Sequence, residues 1–308
     1  MSTPTLAATS RRGFLFVVLA ALCWGTSGLS GQVVADRSDL SALDIAWYRL
    51  AIGAVVLLAA WGVTSRRRTG RVVVGRPVAA RLLLVGAGLA GYQLAYFSAV
   101  DRAGVSIATL VALGLAPLLI ALGAALLGHG RPSAATLTAL VVALAGLTLL
   151  VGVSAGDGGT AVLLGTLLAS GSALGYAVVT LAGGGVPAGV PVTLVGFGGG
   201  ALLLTPAVLA AGLSVPTDPT ALAVLLYLGL VPSALAYGLF FTGVRTVPGP
   251  VASIVTLLEP LTATVLATAF LDERLAPAAV AGGLLLLAAV AGLYLRELGR
   301  APEVEGGL

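Results

Sequence analysis

Apolar residues fill this chain in long blocks, with no two-residue alternation inside them. The blocks lie at 14–34, 42–63, 81–100, 104–127, 133–153, 161–182, 192–211, 221–243, 247–271 and 276–295. At 1.5 Å per residue, a helical block of this length crosses the ~30 Å hydrocarbon layer of a bilayer. Leu, Ala and Gly dominate each block, and barrel strands would alternate, so the pattern predicts ten transmembrane helices. Composition agrees: of 308 residues 58% are hydrophobic and only 9% are charged. A water-soluble domain carries about 25% charged residues, so the solvent of this chain is lipid.

The opening "SRRGFLFVVLAALCW" imitates an export signal through Arg11 and Arg12, and Cys23 imitates a lipidation site. Nine further blocks follow and no small-residue cleavage site is evident, so this segment is read as the first span. One cysteine allows no intramolecular disulfide, and the single histidine, His129, is read as a solvated loop residue. No His/Cys cluster suggests a metal, and no cofactor is implied.

All 16 basic residues are arginine. With the amino terminus inside, Arg11, Arg12, Arg66, Arg67, Arg68, Arg71, Arg76, Arg81, Arg131, Arg245, Arg296 and Arg300 lie on the cytoplasmic side. Arg37, Arg102 and Arg274 fall outside, and Arg49 lies within the second span. That bias, 12 against 3, predicts both termini in the cytoplasm of a cytoplasmic (inner) membrane protein. The basic stretch "SRRRTGRVVVGR" then meets anionic headgroups, and nucleic acid is not an expected partner.

The chain repeats itself at an offset of 143 residues: Phe97 aligns with Phe240, Arg102 with Arg245, Pro117 with Pro260 and Arg131 with Arg274. The offset corresponds to five spans, and an odd number inverts the second copy across the membrane. The expected organisation is a cytoplasmic segment 1–13, a first five-helix repeat 14–153, a linker 154–160, a second repeat 161–295 and a cytoplasmic tail 296–308.

The chain resembles the EamA family of the drug/metabolite transporter superfamily over residues 13–296. The resemblance is carried by "LCWGTSGLSGQVV", "AWYRLAIGAVVLL", the "LAP" and "LEP" helix centres and the closing "FLDERL", in that order and spacing. It implies an all-α membrane protein with two inverted five-helix bundles around a central cavity, moving small solutes by alternating access, commonly as an exporter. One departure stands out: the family often has an acidic residue at the end of helix 4, where this chain has "GHGR".

Candidate chemistry lies in the polar residues inside the spans. Glu259 is twelve residues from either end of its block, about 18 Å deep. A charge at that depth costs at least ~2.5–3.5 kcal/mol, so it faces a cavity or a partner. Proton coupling or contact with a substrate amine is one reading; a protonated acid bonded to a neighbouring helix is the other. Ala252, Thr256, Thr262, Ala263 and Leu266 share its helical face. Pro117 and Pro260 each remove a helix hydrogen bond and act either as hinges or as static kinks. Pro232 has no counterpart in the first repeat, so no symmetry is built on it.

Arg49 would bind a substrate carboxylate, snorkel to the surface or pair with Asp44. Tyr92, Gln93, Tyr96, Tyr237, Trp24 and Tyr176 suit the wall of a cavity for amphipathic solutes; Tyr and Trp equally suit the membrane interface, which is favoured for Trp47 and Trp61. The run "GFGGGA" at 196–201 lacks the GK[ST] ending of a phosphate loop and is read as small-residue helix packing.

The expected function is a secondary transporter of amino acids or drug-like amphipathic compounds, with protons as a candidate coupling ion. Its expected partners are a small-molecule substrate and the bilayer. The alternative is a non-transporting structural or regulatory membrane protein. An enzyme fits poorly, since no span carries a nucleophile–base pair or metal ligands.

Overall fold

The computed structural model describes residues 4–65, 75–128, 134–187, 189–247, 252 and 255–298. Every regular element among them is helical. In order these are α1 (Pro4–Gly25), α2 (Ser27–Arg37), α3 (Ala42–Ser65), α4 (Arg76–Leu126), α5 (Ala134–Gly183), α6 (Val192–Ala211) and α7 (Pro219–Gly229). A π-helical turn, Leu230–Leu235, then joins α7 to α8 (Ala236–Gly243), and α9 (Leu258–Phe270) and α10 (Pro277–Leu298) complete the described chain. The expectations for Arg66, Arg67, Arg68, Arg71, His129 and Arg131 concern positions outside the described residues.

Helix α4 has 51 residues; unbroken it would be about 76 Å long, more than twice the hydrocarbon layer. Gly104 breaks it with φ 79° and ψ 167°, a conformation that L side chains rarely adopt. Tyr96 and Thr109 stand on opposite sides of the break, yet their hydroxyls are 2.8 Å apart. Residues thirteen apart in one straight helix would be separated by about 20 Å, so the two arms fold back on each other. Helix α5 has a similar single break at Gly159 (φ 58°, ψ −139°). Within the stretch 154–160, Gly159 is the one residue with non-helical backbone angles.

Six of the helical stretches, among them Arg11–Arg37, Ala42–Val63 and Arg76–Leu126, are long and apolar enough to cross a membrane, and shorter apolar helices such as Leu258–Phe270 accompany them. Their outer faces carry Val55, Leu83, Leu202 and Phe270, each about two-thirds exposed or more, as lipid contact requires. The chain is a multi-pass membrane protein.

Inside, the packing is close because the facing residues are small. A Cβ on Gly86 of α4 would stand 3.3 Å from the carbonyl carbon of Gly199 in α6, so the two backbones nearly touch. The glycine run at 196–201 is thus a packing face. The far end of the α9 connection ties back to α4: Glu273 accepts hydrogen bonds from the backbone N–H groups of Val105 (2.6 Å) and Ser106 (3.0 Å), the first residues after the Gly104 break.

Candidate substrate site

Three helix interruptions meet in the interior. The first separates α1 from α2, where Thr26 turns its hydroxyl back to the Cys23 carbonyl (2.7 Å) and to the Tyr227 hydroxyl (3.0 Å). The second lies just before α9. Pro260 has no N–H to offer the Thr256 carbonyl four residues back. That carbonyl accepts from Glu259 N instead, at 2.9 Å, and residues 256–257 leave the helix. The block 247–271, expected as one helix, is broken here, and Glu259 stands in the first turn of a helix that begins inside the membrane. A carboxylate is favoured there by the unpaired N–H groups.

The third interruption is the π turn. Pro232 cannot donate to the Leu228 carbonyl, and Ser233 donates its hydroxyl to it at 3.0 Å. The Ser233 oxygen in turn accepts from Arg49 Nε (3.2 Å), while Arg49 Nη1 donates to Gln93 Oε1 (3.1 Å). Its guanidinium carbon lies 5.8 Å from the centre of the Phe97 ring. Arg49 is only 4% exposed, and its Nε and Nη1 bonds both go to neutral partners. It neither snorkels nor pairs with Asp44. Asp44 instead forms a capping box with Ser41 at the start of α3: Ser41 N–H donates to Asp44 Oδ2 (2.9 Å), and Asp44 N–H donates to Ser41 Oγ (3.2 Å).

The aromatic residues form two strings. In one, Tyr176 of α5 meets Tyr92 at 5.7 Å between ring centres, Tyr92 meets Tyr96 at 6.4 Å, and Tyr96 meets Phe97 at 5.4 Å. In the other, Phe197 meets Tyr237 at 5.7 Å, and Trp24 stands 5.2 Å from both Tyr237 and Phe240. Glu259 belongs to both, being close enough to act electrostatically on the phenols of Tyr92, Tyr96 and Tyr237 and on Arg49. Its turn packs on α1, where a Cβ on Gly25 would be 2.9 Å from the Glu259 carbonyl oxygen.

The structure thus brings Glu259, Tyr92, Gln93, Tyr96, Tyr237, Trp24, Tyr176 and Arg49 into one neighbourhood contributed by six helices. Glu259 is partly exposed and, among the described residues, has no hydrogen bond or ion pair to its carboxyl. Trp24 Nε1 is buried without an acceptor. The two prolines differ: Pro117 lies inside a helix that continues through it, whereas Pro260 follows a break. Trp47 donates to Thr205 Oγ1 at 3.0 Å, bridging α3 to α6, while Trp61 is 41% exposed.

Sequence reasoning missed Ser233, Thr109 and Thr26. A proline followed by a serine in an apolar helix was the available signal for Ser233. Among the described residues no three His, Cys, Asp or Glu side chains group as metal ligands.

The EamA-like transporter family matches residues 11–152 and again 162–295. The chain belongs to the EamA-like transporter family. The double match reflects the internal repeat. This EamA-like protein is 33% identical over 275 residues, 89% of its length and 90% of the relative's, to an uncharacterized transporter of Bacillus subtilis, YwfM. It is also 28% identical over 144 residues to an uncharacterized inner membrane transporter of Salmonella typhimurium, YicL, a match spanning 46% of the chain and about half (47%) of that relative. A solved crystal structure superposes with a TM-score of 0.63 at 24% identity, covering 93% of the chain and 98% of the solved one, and so shares the fold. The family and these relatives make the protein a membrane transporter of the drug/metabolite type.

Proposed function

We propose that the protein is a secondary transporter that carries a small amphipathic metabolite or drug-like compound by alternating access around Glu259, and that it works as an exporter. The observation that carries this is the Glu259 carboxyl: partly exposed, without a hydrogen bond among the described residues, and set where interrupted helices approach one another. Broken helices are tolerated at membrane depth where they line a cavity, and their exposed backbone ends serve binding.

In this reading ten crossings form two inverted units, 14–153 and 161–295, joined through 154–160, with both termini cytoplasmic. The single-residue breaks at Gly104 and Gly159 support the count, since each divides a run too long for one crossing. Glu259 meets the substrate or a coupling proton, and Tyr92, Tyr96, Tyr176, Tyr237 and Trp24 form the apolar walls. Arg49, with Gln93 and Ser233, holds α3, α4 and the π turn together. The breaks at Pro260 and Pro232 are the points where the second unit bends, and Pro117 is a kink within a rigid arm.

The test is charge movement from purified protein in liposomes on a solid-supported membrane, with amino acids, organic cations and neutral aromatics applied in turn. A saturable current present in the wild type and lost in Glu259→Gln is the expected result. Equal currents in both proteins would remove Glu259 from the cycle.

A further inference from the structure

We infer that Glu273 is the latch of the outer gate: its two bonds to the corner of α4 hold that end of the pathway shut, the equivalent positions at the cytoplasmic end cannot form such a pair, and the empty protein rests open to the cytoplasm. The latch presupposes the ten-crossing, alternating-access reading above and adds to it which end is held and by what.

Packing divides the interior into two bodies. In one, α1 lies on α8 and on the start of α9: a Cβ on Gly243 would stand 2.6 Å from the Gly13 carbonyl oxygen, and one on Gly25 would stand 2.9 Å from that of Glu259. In the other, α4 lies on α5, where a Cβ on Gly175 would be 2.8 Å from the Tyr92 backbone nitrogen. Glu273 follows α9 and belongs to the first body, whereas the N–H groups that donate to it, those of Val105 (2.6 Å) and Ser106 (3.0 Å), belong to the second. The carboxylate occupies the notch that Gly104 leaves, since a Cβ there would be 2.7 Å from Glu273 Oε1. Val105 and Ser106 are fully buried and start a helical arm, so their N–H groups have no partner within that arm and depend on this one carboxylate. The turn that presents it is strained: Asp272 has φ 53°, a left-handed conformation uncommon outside glycine.

In the ten-crossing reading the Gly104 corner and the turn 271–276 both face the outside. The 143-residue repeat shows why the opposite end lacks the pair. The position equivalent to Glu273 is Gly130, which has no side chain, and the one equivalent to Val105 is Pro248, which has no N–H. In inverted units those positions belong to the cytoplasmic end. Burial along the second arm of α4 runs the same way: every residue from Val105 to Ala112 is buried, whereas every residue from Leu119 to Ala125 is partly exposed.

Distances between paired nitroxide labels, measured by electron–electron double resonance on the full chain in substrate-free lipid nanodiscs, test this. In a Cys23→Ser parent, labels at Arg102→Cys and Ala269→Cys read the outer end, and labels at Leu127→Cys and Arg245→Cys read the cytoplasmic end; all these positions are exposed. The parent is expected to give mainly the short outer distance. Glu273→Gln should raise the ratio of long to short outer distances at least about tenfold, with the cytoplasmic distance shortening in step. Val105→Pro copies the residue of the other repeat, removes one of the two N–H groups at a helix start that tolerates proline, and should shift both distances the same way by a smaller factor. A parent with mainly long outer distances would overturn the inference, as would an unchanged ratio in whichever of the two variants folds. An outer distance that lengthens while the cytoplasmic one stays put would also overturn it, leaving Glu273 as a helix cap only. Reciprocal movement in the variants without any substrate-driven current would keep the latch and remove the transport reading. Currents that depend on Glu259, with label distances that never change, would do the reverse.

Discussion

Replacing Glu273 by Gln removes a clamp whose two ends are 168 residues apart in the chain. The carboxylate holds the Val105 N–H at 2.6 Å and the Ser106 N–H at 3.0 Å, at the start of the second arm of α4. Glutamine keeps one acceptor oxygen but turns its NH2 group toward the other N–H, so one bond and the charge are lost together. Hydrogen bonds to charged groups contribute roughly 1.5–3 kcal/mol each, and the helix-end field adds up to about 1 kcal/mol at an exposed site. The expected loss is therefore about 2–3 kcal/mol. With about 2–4 °C of melting temperature per kcal/mol, the variant should melt roughly 4–12 °C below the wild type in the same detergent. Glu273→Asp, one methylene shorter, should fall in the same direction. A melting point within about 1 °C of wild type for both variants would mean that water replaces the carboxylate at no cost, and the clamp would have no energetic content.

Other substitutions test the interior. Arg49→Lys keeps the charge but cannot serve Ser233 and Gln93 at once, so it should lower stability by about 1–3 kcal/mol in thermal melting; an unchanged melt would refute the fork. Trp24→Phe keeps the ring contacts with Tyr237 and Phe240 and deletes an N–H buried without an acceptor, so its melting temperature should stay within about 2 °C; a large drop would reveal a partner for that N–H. Gly175→Val puts a Cβ 2.8 Å from the Tyr92 backbone nitrogen, and no side chain can yield there. That variant should lose its monodisperse peak in size-exclusion chromatography, whereas a normal profile would mean that α4 and α5 can separate cheaply.

The helices were legible because lipid is the solvent: length and apolarity alone mark where the chain crosses. The glycine face at 196–201 was legible for a related reason, since small residues inside a span have little use except close packing. The helix breaks were not. Hydropathy does not change across Thr256–Leu257, and the fall across Thr26 reads equally well as a span turning polar without a break. Proline alone is ambiguous as well. Pro117 lies in an arm whose residues from Val105 to Leu118 are mostly buried, and that packing carries the helix through the missing bond, whereas the chain before Pro260 opens. Arg49 was legible as a charge inside an apolar block, but its partners sit 44 and 184 residues away, beyond the reach of local spacing. Asp44, the nearby acid, was the obvious partner by sequence and is spent on capping its own helix.

The corner at Gly104 has a mechanical consequence. A loop of several residues can absorb relative movement of the helices it joins, but a corner of one residue offers a single φ and a single ψ. With Tyr96 bolted to Thr109 eight residues above and five below that corner, the arms 76–103 and 105–126 behave as one lever, and a tilt of either is a tilt of both. Movement within this half of the molecule then has to occur by sliding that lever against its neighbours. The bearing surfaces are the glycine contacts with α5 and α6, where Gly175 lies against the backbone at Gly88 and Tyr92, and Gly86 against that of Gly199.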